Sequence, residues 1–199
     1  MFWNKISPVY DLFENVYNGK VYKGTGEKVA DYIDKTDDVL ECACGTGAIT
    51  KSIAPKCKNL IATDFAEGML KRAEKKCRRF ENVSVQFADI TNLAFDNGSF
   101  DKVVAGNVVH LLPEPKKALE ELERVVKPGG KIIIPTYINM SKKSSGIAVK
   151  FVEALGAELK RQFKLDTYKK FFEDMGYCDA EYYVVEGRMP CAVAVITKK

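Results

Sequence analysis

From residue 37 onward, short β-branched runs alternate with amphipathic stretches, the rhythm of a parallel sheet covered by helices. Val39–Cys42, Leu60–Thr63, Val83–Phe87, Lys102–Ala105 and Lys131–Pro135 predict five strands, at the roughly 20 to 30 residue spacing that βαβ units need. Residues 115–126 predict a helix whose Leu119, Leu122, Val125 and Val126 share one face, and Pro128-Gly129-Gly130 turns the chain out of it. Beyond Pro135 the rhythm changes: residues 141–146 are polar, and 147–159 and 166–175 read as amphipathic helices, the second stopped by Gly176. Two last runs, Ala180–Val185 and Ala192–Thr197, predict a closing antiparallel hairpin. The pattern is that of an α/β domain.

The chain has 199 residues, 46% of them hydrophobic and 29% charged, which suits one large domain over residues 1–199 with a sizeable core. Within it, residues 1–35 read as an N-terminal helical cap and 136–166 as a short substrate-side insertion. Thirty-one Lys and Arg against 27 Asp and Glu leave +4, too small a bias to name nucleic acid as a partner. No apolar run approaches the roughly 18 residues that span a bilayer. The opening MFWNKISPVYDLF lacks a secretory leader's basic and apolar regions, so a soluble, cytoplasmic protein with six reduced cysteines is expected.

The richest stretch is DVLECACGTGAIT at 38–50, a strand running through small residues into a helix. Gly45 and Gly47 let the backbone approach a ligand closely. The dinucleotide fingerprint needs Gly or Ala where Thr50 stands, which weakens a nicotinamide reading. Asp64 closes the second run at nearly the roughly 20-residue spacing at which an acid takes ribose hydroxyls. The third strand is expected to end at Asp89 and the fourth at Asn107. Polar residues thus gather at the carboxyl edge of the sheet, where open α/β sheets bind ligands.

These blocks resemble the class I S-adenosylmethionine-dependent methyltransferases, in particular the small-molecule branch that includes the ubiquinone and menaquinone C-methyltransferases. The matching residues are VLECACGTG at 39–47, ATDFAEGML at 62–70, FADITNLAFDNGSFDKVVAGNVVHLL at 87–112 and ELERVVKPGGKIIIP at 121–135, with SPVYDLFE at 7–14 similar to that branch's N-terminal helix. The resemblance implies a Rossmann-like methyltransferase fold: seven mostly parallel strands in the order 3-2-1-4-5-7-6, the seventh antiparallel, with helices on both faces. It implies S-adenosylmethionine as cofactor and S-adenosylhomocysteine as product. Glu41 and the loop of Gly45, Thr46 and Gly47 would hold the methionine part, with Ala43 at the position of the family's first loop glycine. Asp64, followed by Phe65, would take the ribose hydroxyls, and Met69 would lie near the adenine face. Asp89 would accept from the exocyclic amine, Ile90 would offer its N–H to the ring, and Asn107 would sit beside the sulfonium.

Other readings stand beside these. Asp64 and Asp89 suit helix N-caps, and Met69 suits a core. Cys42, Cys44, Cys57 and Cys77 lack metal-site spacing and read as small packing residues, the first two flanking the loop where alkylation is expected to block the cofactor. The basic run Lys71, Arg72, Lys75, Lys76, Arg78 and Arg79 reads as a solvated helix face. His110 is either the one near-neutral base above the sheet or a loop-packing residue. Aromatic residues including Tyr10, Tyr17 and Tyr22, with Tyr137 on the other side, would wall the pocket of a flat or apolar small-molecule acceptor, or anchor a helix over the sheet. Gly106-Asn107-Val108-Val109 stands where enzymes methylating base or amide nitrogens carry Asn-Pro-Pro-Tyr. An RNA or protein methyltransferase on the same fold and a silent cofactor-binding module are the alternatives.

Overall fold

The computed structural model describes residues 18–138 and 161–199. These form a seven-stranded sheet in the order β3-β2-β1-β4-β5-β7-β6, with β1 Asp38–Cys42, β2 Asn59–Asp64, β3 Val83–Phe87, β4 Phe100–Ala105, β5 Val126–Tyr137, β6 Glu181–Val185 and β7 Cys191–Thr197. The first five strands pair in parallel, and β7 runs antiparallel to both β5 and β6. The expected terminal hairpin is therefore β6–β7, inserted so that its second strand lies against β5. Helical residues 18–30 (α1) precede the sheet, followed by α2 Thr50–Ile53, α3 Glu67–Cys77, α4 Pro115–Val125 and α5 Leu165–Asp174. Tyr10, Tyr17 and the expected helix at 147–159 lie outside the described residues.

Central strands need apolar side chains on both faces, and alternation sorts them between two helix layers. Leu40, Val103, Ile132, Ile134, Ala192 and Ala194 pack with Leu119 and Leu122 of α4 and Tyr168 and Phe172 of α5. Val39, Val104, Ile133, Val193 and Val195 face the other way, onto Val29 of α1 and Ile53 of α2. The stripe Ala118, Leu119, Leu122 and Val125 is what makes α4 a helix and buries it. It ends where Val126 turns extended, and the Lys198 ammonium donates to the carbonyls of Glu123 at 2.7 Å and Val126 at 2.8 Å.

Three details differ from the pattern. The helix after the glycine loop is a single turn, Thr50–Ile53. The Pro-Gly-Gly turn lies inside β5, at the register break between Phe100 and Lys102, with Gly129 at φ 74°. β3 stops at Phe87 and β4 at Ala105, so Asp89 and Asn107 stand in loops beyond the strands. The strand order reverses between β1 and β4, which makes the carboxyl ends of these strands a switch point, the place where such sheets bind ligands.

Candidate functional site

The loop leaving β1 turns through three left-handed residues, Ala43 at φ 53°, Gly45 at φ 56° and Gly47 at φ 83°. The two glycines serve different ends. A side chain at Gly47 would meet the Ala73 backbone and the Cys77 sulfur of α3 at 3.2 Å, whereas one at Gly45 would meet nothing within 4 Å. Gly47 thus seats the loop on α3, and Gly45 leaves open space above it. Ala43 holds a conformation that costs an L-residue about 1 kcal/mol. Ala43→Gly is therefore expected to leave stability unchanged or raise it by up to about 1 kcal/mol, read from urea unfolding. A loss larger than that would show that the Ala43 methyl earns its place by packing.

Thr46, 1% exposed, accepts a 2.8 Å hydrogen bond from Lys76 of α3. Lys76 therefore departs from the solvated-face expectation for its helix. Cys42 and Cys44 are buried free thiols, and burial pushes Cys42 up to about 12 and Cys44 well above its ordinary value. Neither is the thiolate that alkylation requires. Their place in the apolar clusters agrees with the packing reading.

Three carboxyl groups gather at this edge in different states. Asp64, 6% exposed, accepts the Gly45 N–H on Oδ2 and the Ala66 N–H on Oδ1, both at 2.9 Å, which binds the glycine loop to the entry of α3. Burial raises its pKa, and the N–H groups of Ala66, Gly45 and Phe65 oppose that rise. Glu41 lies deeper, at the end of β1 and 2% exposed. Burial pushes its carboxyl up to about 8, opposed by Thr50 and reinforced by Asp64. Its Oε2 has no hydrogen-bond partner among the described residues. Asp89 curls onto its own loop, Oδ1 accepting the N–H and hydroxyl of Thr91 at 2.8 Å.

Above these groups lies a cavity of about 450 Å³, within the size range of small-molecule sites. Ala43 and Gly45 line it from the loop, and Asp64, Phe65 and Met69 from β2 and α3. Ala88, Asp89, Ile90 and Thr91 form the wall beyond β3, with Gly106, Asn107 and Val108 opposite. Leu111, Leu112, Pro113 and Glu114 complete it. Eight of the eleven residues expected to hold a cofactor thus meet at one cavity; Glu41, Thr46 and Gly47 are not among its lining residues. The wall at 111–114 carries no mark in the sequence, although Leu111 and Leu112 close the GNVVHLL match and Pro113 and Glu114 directly follow it. Met69 both faces the cavity and is 2% exposed, so the two readings of it coincide.

Asn107 also sits in the left-handed region, at φ 53°. Its N–H donates to the Pro135 carbonyl at 2.7 Å and its Oδ1 accepts the Tyr137 N–H at 3.0 Å, fastening the loop to β5. Tyr137 and Tyr22 are half-buried and are not among the cavity-lining residues. His110 also lies off the lining. Burial holds its imidazole neutral, down to about 4, and Nδ1 has no partner among the described residues. The Arg161 N–H donates to the His110 carbonyl at 3.1 Å and its guanidinium to the Leu112 carbonyl at 2.7 Å.

Residues 40–134 match the family model described as a methyltransferase domain. That stretch carries a methyltransferase domain, on a sheet whose strand order is the one the resemblance implied. Among the relatives of this chain is the demethylmenaquinone methyltransferase of Clavibacter sepedonicus, 40% identical over 48% of this chain and 39% of that protein. The demethylmenaquinone methyltransferase of Staphylococcus carnosus is 32% identical over 64% and 55%. The chain spans about half the length of the curated relatives it matches. An S-adenosylmethionine-dependent methyltransferase structure from Thermotoga maritima superposes with a TM-score of 0.78, covering 100% of this chain and 99% of that one at 19% identity. No helix of the described residues is long and apolar enough to cross a membrane.

Proposed function

We propose that this methyltransferase binds S-adenosylmethionine in the switch-point cavity and transfers its methyl group to a small apolar or aromatic acceptor. The observation that carries this reading is the convergence of Gly45, Asp64, Asp89 and Asn107 on one cavity. The residues fit a cationic, adenosine-bearing group. Gly45 leaves backbone-width space, Asp64 has acceptor capacity beyond its N–H partners, and Glu41 buries a carboxyl oxygen without a partner among the described residues, which a nearby cation would favour as carboxylate. Asp64 would take ribose hydroxyls, Met69 would lie near the adenine face with Asp89 at its amine and the Ile90 N–H on the ring, and the Glu41 end would carry the methionine ammonium.

When bound, the cofactor supplies a methyl group already activated on a sulfonium. The protein's work is then alignment, which contributes roughly 7 to 11 kcal/mol in well-oriented reactions. Leu111, Leu112 and Pro113 add an apolar wall, and the demethylmenaquinone named for the relatives makes a quinol-type ring the first acceptor to test. With labelled cofactor and a panel of quinol, phenol, thiol and amine acceptors, the label is expected on the aromatic acceptors. Transfer only to RNA or protein, or to nothing while cofactor is bound, would overturn the acceptor reading.

His110 takes the loop-packing role here, since it stands off the cavity lining and its imidazole is a weak base. His110→Gln is expected to keep turnover within about 10-fold, the lower bound of a typical proton-transfer contribution being larger, with the pH profile unmoved. A loss well beyond that, with a shifted profile, would restore it as the general base.

A further inference from the structure

The guanidinium of Arg124, near the end of α4, makes five hydrogen bonds, as many as its N–H donors allow. Nε and Nη2 form a fork on Glu121, at 2.7 Å to Oε1 and 2.9 Å to Oε2. Nη1 donates to the Phe95 carbonyl at 2.7 Å and to Asn97 Oδ1 at 2.9 Å, and Nη2 also to the Leu93 carbonyl at 2.8 Å. Glu121 completes the set, its Oε2 accepting the Leu93 N–H at 2.7 Å. Farther along the same loop, the Gly98 N–H donates to the Arg124 carbonyl at 2.9 Å. One ion pair therefore satisfies both polar groups of Leu93 and fixes the loop between β3 and β4 along its length. The pair is only partly exposed, 30% at Arg124 and 19% at Glu121, and Arg124 draws the Glu121 carboxyl below its usual range.

What this loop carries gives the clamp its meaning. Leu93 is 4% exposed, and Phe95 stacks edge-on against Phe100 with ring centroids 5.1 Å apart. Immediately upstream, Asp89 bridges to Asn92, whose N–H donates to the Asp89 carbonyl at 3.0 Å. Asp89, Ile90 and Thr91 are the cavity wall. That wall is suspended between two anchors: the Ala88 N–H on the Asp64 carbonyl at 3.2 Å, and the Arg124–Glu121 pair at Leu93.

We propose that Arg124, paired with Glu121, is a positioning residue for the adenine end of the cofactor site, holding the Asp89–Thr91 wall at the distance the ring requires. This rests on the reading of the cavity as the S-adenosylmethionine site. A planar fork suits the task because it spans a carboxylate and three further acceptors at once, which the point charge of a lysine does not. With Met at this position the apolar stem remains, while the Leu93 and Phe95 carbonyls and the Glu121 carboxylate lose their donor.

The test is amide hydrogen exchange on the parent chain, Arg124→Met, Arg124→Lys and Glu121→Gln, with S-adenosylhomocysteine affinity and steady-state kinetics on the same proteins. In Arg124→Met, amides between 89 and 98 are expected to exchange about 10-fold faster, the sheet amides staying as in the parent. The S-adenosylhomocysteine Kd and the cofactor KM should rise about 10-fold, with kcat at saturating cofactor within about 3-fold. Arg124→Lys should fall between Met and parent, and with Glu121→Gln it carries the test if the Met variant does not fold. Unchanged exchange in the loop, or faster exchange spread over the whole sheet, would overturn the proposal. Parent and variants binding equally would overturn it alone, whereas a parent that binds nothing would overturn the cofactor reading and this proposal with it.

Discussion

Replacing Asp64 with Ala is expected to weaken S-adenosylhomocysteine binding by roughly 100-fold, about 3 kcal/mol. Two losses combine. The carboxylate proposed to accept ribose hydroxyls is gone, and charge-assisted hydrogen bonds of that kind contribute about 1.5 to 3 kcal/mol. The Gly45 and Ala66 N–H groups that it accepts at 2.9 Å are also released, so the glycine loop is no longer tied to the entry of α3. Asp64→Asn separates the two: its amide oxygen keeps one N–H, the charge is lost, and an intermediate affinity is expected. Titration calorimetry gives the affinities and urea unfolding the accompanying loss of stability, about 1 to 3 kcal/mol for the Ala variant. An Ala variant that is destabilised yet binds as tightly as the parent would confine Asp64 to its loop-fastening role.

The second large effect is on pH dependence. Glu41 titrates at about 8 in the folded chain against an ordinary value of 4.5, because burial penalises its charge. A carboxyl raised on folding keeps its proton in the native state after the unfolded chain has lost it. Stability from this group is therefore complete below about 4.5 and is lost progressively as pH rises towards 8, where it levels off. The full span corresponds to at most about 5 kcal/mol. Asp64, also raised, acts in the same direction, whereas Glu121, held low by Arg124, titrates below this window. His110, lowered by burial to about 4, opposes the Glu41 slope only up to its ordinary value of 6.5. Urea unfolding of the cofactor-free parent should thus show lower stability at pH 8 than at pH 5.5, and Glu41→Gln should flatten most of that slope. Parallel slopes in parent and variant would mean that Glu41 is ionised at neutral pH and has a partner. Because a cation favours the carboxylate, cofactor binding below pH 8 should release a proton from the parent and not from Glu41→Gln.

The fold was legible in the chain because its signals are local. Alternation and β-branching marked the first four strands to within two residues and the second half of β5, which starts five residues before the expected Lys131, and the hairpin's two runs stood apart from the preceding helix. The order in which the strands pair came only from resemblance, since nothing local places β7 between β5 and β6. The candidate site was legible where a residue type has one reason to occur, as at Gly45 or Asp64. It was not legible where a role is tertiary. Arg124 lies inside the matched ELERVVKPGG block, yet two of the groups it holds are backbone carbonyls some thirty residues upstream, and carbonyls leave no mark in a sequence. Ala43 reads as a substituted glycine, and only the structure shows that it keeps the glycine's left-handed conformation. His110 reads as a base by residue type, and burial, which the sequence does not display, takes most of that basicity away.

The central claim is that the cavity above Gly45, Asp64 and Asp89 holds S-adenosylmethionine, and calorimetric titration of the full chain with S-adenosylhomocysteine tests it most directly. Run at pH 7 in two buffers of different ionisation heat, the titration should give saturable one-to-one binding, with a buffer-dependent heat from the proton that Glu41 gives up. No saturable heat in either buffer, with the chain folded, would contradict the account.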